Sequence, residues 1–381
     1  MRGAWNVCLL GAYFPAAFHA TKAALRERTK TLNGPPPLHI FRATTLADAV
    51  AGKTSSNELC ESSSSPSSSS SSSSDSSCQV VVPFMQKVDA DAMHALKKKG
   101  LRAVVQFGVG LEGVDLDAAA KLGVSVLNMP ASDSGNAEAT AEHAVFLCMA
   151  AMRGVHRLRE SFANRKLGEP IGYSLQKKKV MLVGYGAVGQ SLAKMLKGFQ
   201  CEVRASRRTW ASSPPQSSSS SASMTNGDDD VLAERIDAND NAAMQKNIAQ
   251  ADAVFVTCVL NESTRGLVNA DFLNVMRDDA FLINVARGPV IDYDALLDTL
   301  QRGRLGGVGL DVYWNEPFDP TDPIVTQFER VFATPHVGGV TDVSYRKMGY
   351  VLVDTCMALM QDKSALPPGV NLVIDGLQKP S

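Results

Sequence analysis

Lys179-Val180-Met181-Leu182-Val183-Gly184-Tyr185-Gly186-Ala187-Val188-Gly189 is the stretch from which the fold follows. Its apolar run reads as a buried strand, and its glycines keep the spacing G-x-G-x-x-G. Gln190 to Lys197 continues as a helix with Leu192, Ala193 and Leu196 on one face, and Glu202 to Ala205 supplies the next strand. In such a βαβ unit Gly184 permits a tight turn, Gly186 lets the backbone approach a pyrophosphate, and Gly189 lets helix and strand pack closely. The helix N-terminus offers N–H groups and positive potential to phosphates, and no carboxylate lies in the loop. These residues predict a dinucleotide site.

The same alternation runs outward in both directions. Strands are expected at Asn6–Leu10, Gln79–Pro83, Ala103–Phe107, Ser125–Asn128, Val180–Val183, Glu202–Ala205, Ala253–Cys258, Phe281–Asn284, Gly307–Asp311 and Val331–Ala333. Helices are expected to start near Pro15, Ala90, Asp115, Ala137, Gly189, Ala242, Asn269, Tyr293 and Val343. Strand–helix alternation implies parallel sheets covered on both faces. There are too many strands for one sheet, so the class is α/β with two doubly wound, Rossmann-like domains. A break is expected near Ser134–Gly135. Residues 1–134 then form the first part of a substrate domain and 135–340 a nucleotide domain. Serine-rich tracts at 61–77 and 211–230 cannot bury apolar surface and are expected to be disordered inserts.

Composition narrows the function classes. Over 381 residues the net charge is −1 and Lys and Arg are scattered, so neither nucleic acid nor an anionic membrane is an expected partner. The apolar runs fall short of the roughly 20 residues that a membrane span needs. The 7 cysteines are dispersed without a CxxC pair, which suits reduced thiols in a cytoplasmic compartment. No histidine–cysteine–acid grouping has metal-ligand spacing, so no metal is expected. Val7 to Phe18 has some character of a targeting sequence. Gly11, Pro15 and the charges of Lys22, Arg26 and Arg28 favour a first strand and helix instead.

A second G-x-G-x-x-G lies at Gly108, Gly110 and Gly113, but Glu112 and Asp115 open its helix and would repel a pyrophosphate. Backbone N–H groups near Val109 and Gly110 suit a smaller anion, the carboxylate of a substrate. At the end of the second nucleotide-domain strand an NAD enzyme usually carries an acid for the ribose hydroxyls. Here the sequence reads Ala205-Ser206-Arg207-Arg208, and a guanidinium can instead grip a 2′-phosphate. NADP(H) is therefore expected in preference to NAD(H), with Ser206, Arg207 and Arg208 at that end of the cofactor.

Three later strands each end in an unusual polar group. Phe281 to Asn284 leads to Arg287, Gly309 to Val312 leads to Glu316, and Phe332-Ala333-Thr334-Pro335 leads to His336. Ligands of open parallel sheets sit at the carboxyl ends of the strands. Hydride addition to a keto acid needs a cation to hold the carboxylate and polarise the carbonyl, a task for Arg287. It also needs a proton donor active near neutral pH, which suits His336. Glu316 could orient that ring and favour its protonated form. Asp311 is expected at the nicotinamide end of the cofactor or in a structural role.

These segments resemble the D-isomer-specific 2-hydroxyacid dehydrogenase family, which includes hydroxypyruvate/glyoxylate reductases and phosphoglycerate dehydrogenase. The likeness rests on Phe107 to Asp115, Thr140-Ala141-Glu142-His143, Val183 to Gly189, Asn284 to Gly288, Asp311 to Pro317 and Thr334 to Gly339. The resemblance implies a flavodoxin-like substrate domain beside an NAD(P)-binding Rossmann domain, with 341–381 returning to the former. It implies Arg287, Glu316 and His336 as catalytic residues. Cofactor contacts would come from Ala187, Val188, Cys258, Val285, Ala286, Arg287, Asp311, His336 and Gly338, and the protein would be a homodimer. The sequence departs from the family pattern at Leu260-Asn261, where a proline is usual, and at Arg207. The implied activity is hydride transfer between nicotinamide and a small 2-hydroxy or 2-keto acid such as glyoxylate, hydroxypyruvate or a 3-phosphoglycerate-like acid. The competing readings are a corepressor-like dinucleotide sensor without catalysis and a regulatory protein built on its serine tracts.

Overall fold

The structure, a computed structural model, describes residues 5–30, 38–53, 77–210, 231–361 and 366–376. Residues 61–76 of the first serine tract, and all of 211–230, lie outside them. In chain order the elements are β1 (Trp5–Leu10), α1 (Pro15–Thr29), β2 (Leu38–Ala43), α2 (Leu46–Ala51), β3 (Val80–Pro83), α3 (Ala90–Lys98), β4 (Ala103–Gln106), α4 (Leu116–Lys121), β5 (Ser125–Asn128) and α5 (Ala131–Ser134). There follow α6 (Asn136–Arg153), α7 (Val155–Ala163), β6 (Lys179–Val183), α8 (Ala187–Gly198), β7 (Glu202–Arg207), β8 (Glu234–Asp237), α9 (Asn241–Gln250), β9 (Ala253–Val256) and α10 (Ala270–Val275). The last are β10 (Phe281–Asn284), α11 (Tyr293–Gln301), β11 (Gly307–Leu310), α12 (Pro323–Thr326), β12 (Val331–Ala333), α13 (Asp342–Met360) and β13 (Asn371–Ile374).

Two compact units result, Met1–Asn136 with Asp342–Ser381, and Ala137–Thr341. The first is built on a sheet of order β13-β5-β4-β3-β1-β2, parallel except for β13, which pairs antiparallel with β5. The order reverses between β1 and β3, the flavodoxin-like arrangement. Its core includes Cys8, Leu10, Val81, Met93, Leu96, Val104 and Val126. Helix α13 returns to pack on α1, and a Cβ on Gly349 would sit 2.9 Å from the Ala20 carbonyl, so the two backbones pass close together.

The second unit is a fully parallel sheet of order β12-β11-β10-β9-β6-β7-β8, with its switch point between β6 and β9. Both faces are covered. Met181, Val183, Val254 and Leu282 belong to one cluster, and Val180, Leu182, Phe255 and Ile283 to the other. That is why these strands read as continuous apolar runs rather than alternating ones.

The structure adds β2, α2, α5, α7, β8, α12 and β13 to the expected elements. It also moves several boundaries. Helix α8 begins at Ala187, β9 ends at Val256, and β7 extends to Arg207. Among the described residues no helix is long and apolar enough to cross a membrane.

Candidate active site

The nucleotide loop follows β6 and is held by contacts that only glycine allows. Gly184 has φ +106°, and a Cβ there would lie 2.6 Å from the Cys258 backbone N. A Cβ on Gly189 would lie 2.5 Å from the Gly184 carbonyl, whereas one on Gly186 would meet nothing within 4 Å. The loop is therefore tight on the protein side and open at the middle glycine. Thr257 fastens it, its hydroxyl donating to the Gly184 carbonyl at 2.7 Å. Asp89, Asp115, Asp240, Asn269 and Asp292 cap α3, α4, α9, α10 and α11 with side-chain oxygens. Helix α8 has Gly186 at this position, no side-chain cap and no acid in its first turn. The first N–H groups of a helix lack partners within it, and at α8 they are presented by Ala187, Val188 and Gly189. These features fit a bound pyrophosphate.

At the end of β7, Arg207 and Arg208 are exposed. Ser206 departs from expectation, being 2% exposed with its hydroxyl donating to the Leu182 carbonyl at 3.4 Å. Because β7 runs two residues beyond its expected end at Ala205, Ser206 falls within the covered sheet and its side chain turns inward. Trp210 packs on Tyr185 of the glycine loop at 5.4 Å and carries the Arg235 guanidinium 5.4 Å from its ring centre. Cys258 is partly buried, and burial pushes its thiol up to about 11, so it is a neutral group at ordinary pH.

The ends of β10, β11 and β12 bring together the polar groups singled out in the sequence. Asn284, wholly buried, accepts the Ala286 N–H and donates to the Arg287 carbonyl, both at 3.0 Å, which fixes the turn carrying Arg287. The Arg287 guanidinium donates to the Ala286 carbonyl at 2.8 Å. Val285 and Ala286 have their N–H groups taken up by Val256 and Asn284, and both are 8% exposed. Glu316 accepts the Tyr313 N–H at 3.0 Å with one oxygen and faces His336 Nδ1 at 2.7 Å with the other. A carboxylate only accepts, so that bond places a proton on Nδ1.

His336 itself is in the left-handed region, φ 55°, on a turn fixed from two sides. From one side Tyr313 donates its hydroxyl to the Thr334 carbonyl at 2.7 Å, the same carbonyl that accepts the His336 N–H at 2.9 Å. From the other, Asp311 accepts the Thr334 hydroxyl at 2.7 Å, the Val337 N–H at 2.8 Å and the Gly338 N–H at 2.7 Å. His143 Nε2 lies 2.8 Å from the Thr334 hydroxyl and 3.3 Å from Asp311. The hydroxyl's one hydrogen goes to Asp311, so His143 is the donor. Burial opposes the charge on Asp311, but the hydrogen bonds from His143, Thr334 and Val337, with the charge of His143, hold its carboxyl below the usual range. Asp311 and Gly338, expected at the cofactor, are thus engaged with each other. Asp311 is 2% exposed and acts as the anchor of the His336 turn.

In the first unit, the loop after β4 is tied to β5. The Met129 N–H donates to the Gly108 carbonyl and the Asn128 amide to the Val109 carbonyl, both at 2.9 Å. Neither peptide is cis, and in a trans peptide the N–H points opposite to the C=O. The N–H groups of Val109 and Gly110 are therefore turned away from β5, side by side, as an anion site requires. Asp115 is the N-cap of α4, accepting the Ala118 N–H at 2.8 Å. Tyr313, His143 and Asn128 were not among the expected site residues. Their partners lie 19 or more residues away in sequence, and no spacing rule reveals them.

The sequence profile of the "D-isomer specific 2-hydroxyacid dehydrogenase, NAD binding domain" family matches residues 145–338. A hydroxypyruvate reductase of Thermotoga maritima is 30% identical over 280 residues, 72% of this chain and 82% of that protein. A glyoxylate reductase of Pyrococcus furiosus is 27% identical over 311 residues, covering 79% and 84%. The crystal structure of a Thermus thermophilus protein superposes with a TM-score of 0.69 at 25% identity, covering 97% of this chain and 100% of that one.

Asp311 gives a test of how the site is held. Its folded carboxyl titrates below its unfolded value of about 3.9. The charged form therefore contributes stability at neutral pH that is lost as pH falls below about 4, through the lower folded value. Asp311→Asn turns one acceptor oxygen into a donor facing donors, at a cost of about 1–3 kcal/mol at pH 7. Urea unfolding across pH should show that difference shrinking in acid. A difference that stays constant below about pH 4 would remove the carboxylate's charge from this account.

Proposed function

The chain belongs to the D-isomer specific 2-hydroxyacid dehydrogenase family, NAD(P)-dependent oxidoreductases of 2-hydroxy acids, and on that premise we propose that it reduces small 2-keto acids of the glyoxylate and hydroxypyruvate class. The carrying observation is Glu316 Oε2 at 2.7 Å from His336 Nδ1. That bond orients the ring so that Nε2 is the atom that exchanges a proton with substrate. When bound, the nicotinamide supplies the hydride. Arg287 holds the substrate carboxylate and polarises the keto group. His336 delivers a proton to the carbonyl oxygen as it gains charge, and in the reverse direction removes it from the hydroxyl. In the first unit, the N–H groups of Val109 and Gly110 are assigned to a substrate carboxylate. A sensor without catalysis would have no use for the Glu316–His336 pair.

We assign the cofactor as NADP(H) in preference to NAD(H), with Arg207 and Arg208 on the 2′-phosphate. In support, both are exposed at the end of β7, where a ribose-binding acid would stand. Gly186, Ala187, Val188 and Gly189 take the pyrophosphate, and Cys258 lines the loop. We further assign a homodimer. Phe162, Leu167 and Ile171 are 89%, 101% and 90% exposed, with Phe146 and Leu158 also exposed on α6 and α7. Such an apolar face on one segment suits burial against a second copy. Free thiols at Cys8, Cys78, Cys148, Cys201, Cys258 and Cys356 support a cytoplasmic location.

Three outcomes are expected. In an assay of NADPH loss with glyoxylate and hydroxypyruvate, His336→Ala should lower kcat by roughly 10²–10⁴-fold while fluorescence titration shows NADPH binding retained. Wild-type-like turnover would exclude His336 as the acid. Arg207→Ala should raise the KM for NADPH about 10-fold or more, the scale of a lost charge-assisted contact, and leave that for NADH nearly unchanged. A tenfold wild-type preference for NADH would reject the cofactor assignment. Phe162→Asp with Leu167→Asp should convert dimer to monomer by light scattering, and a wild-type monomer would reject the dimer.

A further inference from the structure

Three loops meet at the switch point of the first unit, after β1, β3 and β4, and all three lack charge along Gly11–Phe14, Phe84–Gln86 and Phe107–Leu111. They are rich in aromatic and aliphatic residues. Phe14, Phe84 and Phe107 form a continuous ring cluster, with centres 6.2 Å and then 5.5 Å apart. Phe84 and Phe107 are buried and Phe14 partly so, while Tyr13, Met85 and Val109 on the same loops are 41%, 42% and 43% exposed. Two of the residues there adopt left-handed backbone, Phe14 at φ 56° and Met85 at φ 58°. Neither is glycine, and such strain clusters at ligand sites. Arg42 lies against the first of these loops, its guanidinium donating to the Gly11 and Ala12 carbonyls.

The position of this rim relative to the anion site follows from the sheet. The N–H groups of Val109 and Gly110 face away from β5. Because β4 lies between β5 and β3, they face the side on which β3 and β1 end. A carboxylate on those N–H groups has the apolar rim as its neighbour.

Resting on the reductase reading above, we infer that this enzyme selects 2-keto acids carrying an apolar side chain, and that Tyr13 and Met85 are its specificity-determining residues. A methyl, propyl or isobutyl group removes water from Tyr13, Met85 and Val109. A phosphate would lose its hydration against loop segments that themselves carry no cation.

The test is kcat/KM with saturating NADPH for glyoxylate, pyruvate, 2-ketobutyrate, 2-ketoisocaproate, hydroxypyruvate and 3-phosphohydroxypyruvate. The value should rise about tenfold or more from glyoxylate to 2-ketoisocaproate, the scale of methylene groups in an apolar site. It should be lowest for the phosphorylated acid. Met85→Ala and Tyr13→Ala should each lower the 2-ketoisocaproate-to-glyoxylate ratio several-fold, and Met85→Leu should restore it. Both positions are exposed, so folding is not at stake. Turnover with a flat series, a preference for the phosphorylated acid, or a ratio unmoved in both alanine variants overturns the side-chain assignment alone. No turnover of any acid overturns the reductase reading with it.

Discussion

A carboxylate taken out of water must be surrounded by donors, and the end of the second unit's sheet is arranged around one such group. Asp311 stands just past β11, 2% exposed. Its donors come from Thr334, Val337, Gly338 and His143, from the next strand end and from α6. Each donor is satisfied only when the turn after β12 has one shape, and that shape sets where His336 sits. An unpaired buried carboxylate would cost several kcal/mol, so the demand for partners is strong enough to impose a conformation on five residues of loop. The carboxylate that touches His336 is Glu316, but the one that decides where His336 can be is Asp311.

The same device, a side chain bonded to backbone, recurs at every strand end that matters. Asn284 closes the Arg287 turn, Tyr313 ties the Thr334 carbonyl, Thr257 fastens the glycine loop and Asn128 fastens the loop after β4. Loops at the carboxyl end of a sheet have no ladder to hold them. Backbone groups there would otherwise turn to water, with the spread of conformations that water permits. Tyr313 is economical in this respect, since its N–H holds Glu316 and its hydroxyl holds the turn of His336. Burial, with Asp311, Glu316 and Asp322 nearby, pushes that hydroxyl's titration well up, so it stays a neutral donor.

Sequence reading reached the glycine fingerprint, the parallel α/β class and the three strand-end segments that carry Arg287, Glu316 and His336, because each segment is encoded by residues close together in the chain. It missed what depends on distant residues. Strand β8, Glu234-Arg235-Ile236-Asp237, has a single apolar residue and is an edge strand. Strand β13 is also an edge and largely exposed, so it lacks a buried run. Ser206 was misplaced by a boundary, since two extra strand residues turned a presumed loop hydroxyl into the sheet. Asp311 was legible as important, with a cofactor contact or a structural role left open. Its partners, 23 to 27 positions on, are those of an anchor. Tyr313 drew no expectation, because its bond to the Thr334 carbonyl joins residues 21 positions apart.

Non-glycine residues in left-handed backbone mark both units. Glycine would adopt φ 55° at position 336 without strain but would bring no imidazole, and a histidine there costs roughly 1–2 kcal/mol. The turn persists because Asp311 and Tyr313 together make more hydrogen bonds to it than the strain can offset, each worth about 1 kcal/mol net. Phe14 and Met85 pose the same problem at the apolar rim. Apolar packing supports their loops, Phe14 on Phe84 and Phe84 on Phe107, with Gly11 so close to the Phe84 carbonyl that a Cβ would lie 2.5 Å away. Strain at a proton-transfer residue is offset by directional bonds, which fix an atom to a fraction of an ångström. Strain at an apolar rim is offset by contact area, which fixes a surface and leaves its side chains free to fit what arrives. The difference matches the tasks assigned to the two units, since chemistry at His336 depends on placing one nitrogen and selection at Met85 only on keeping a surface apolar.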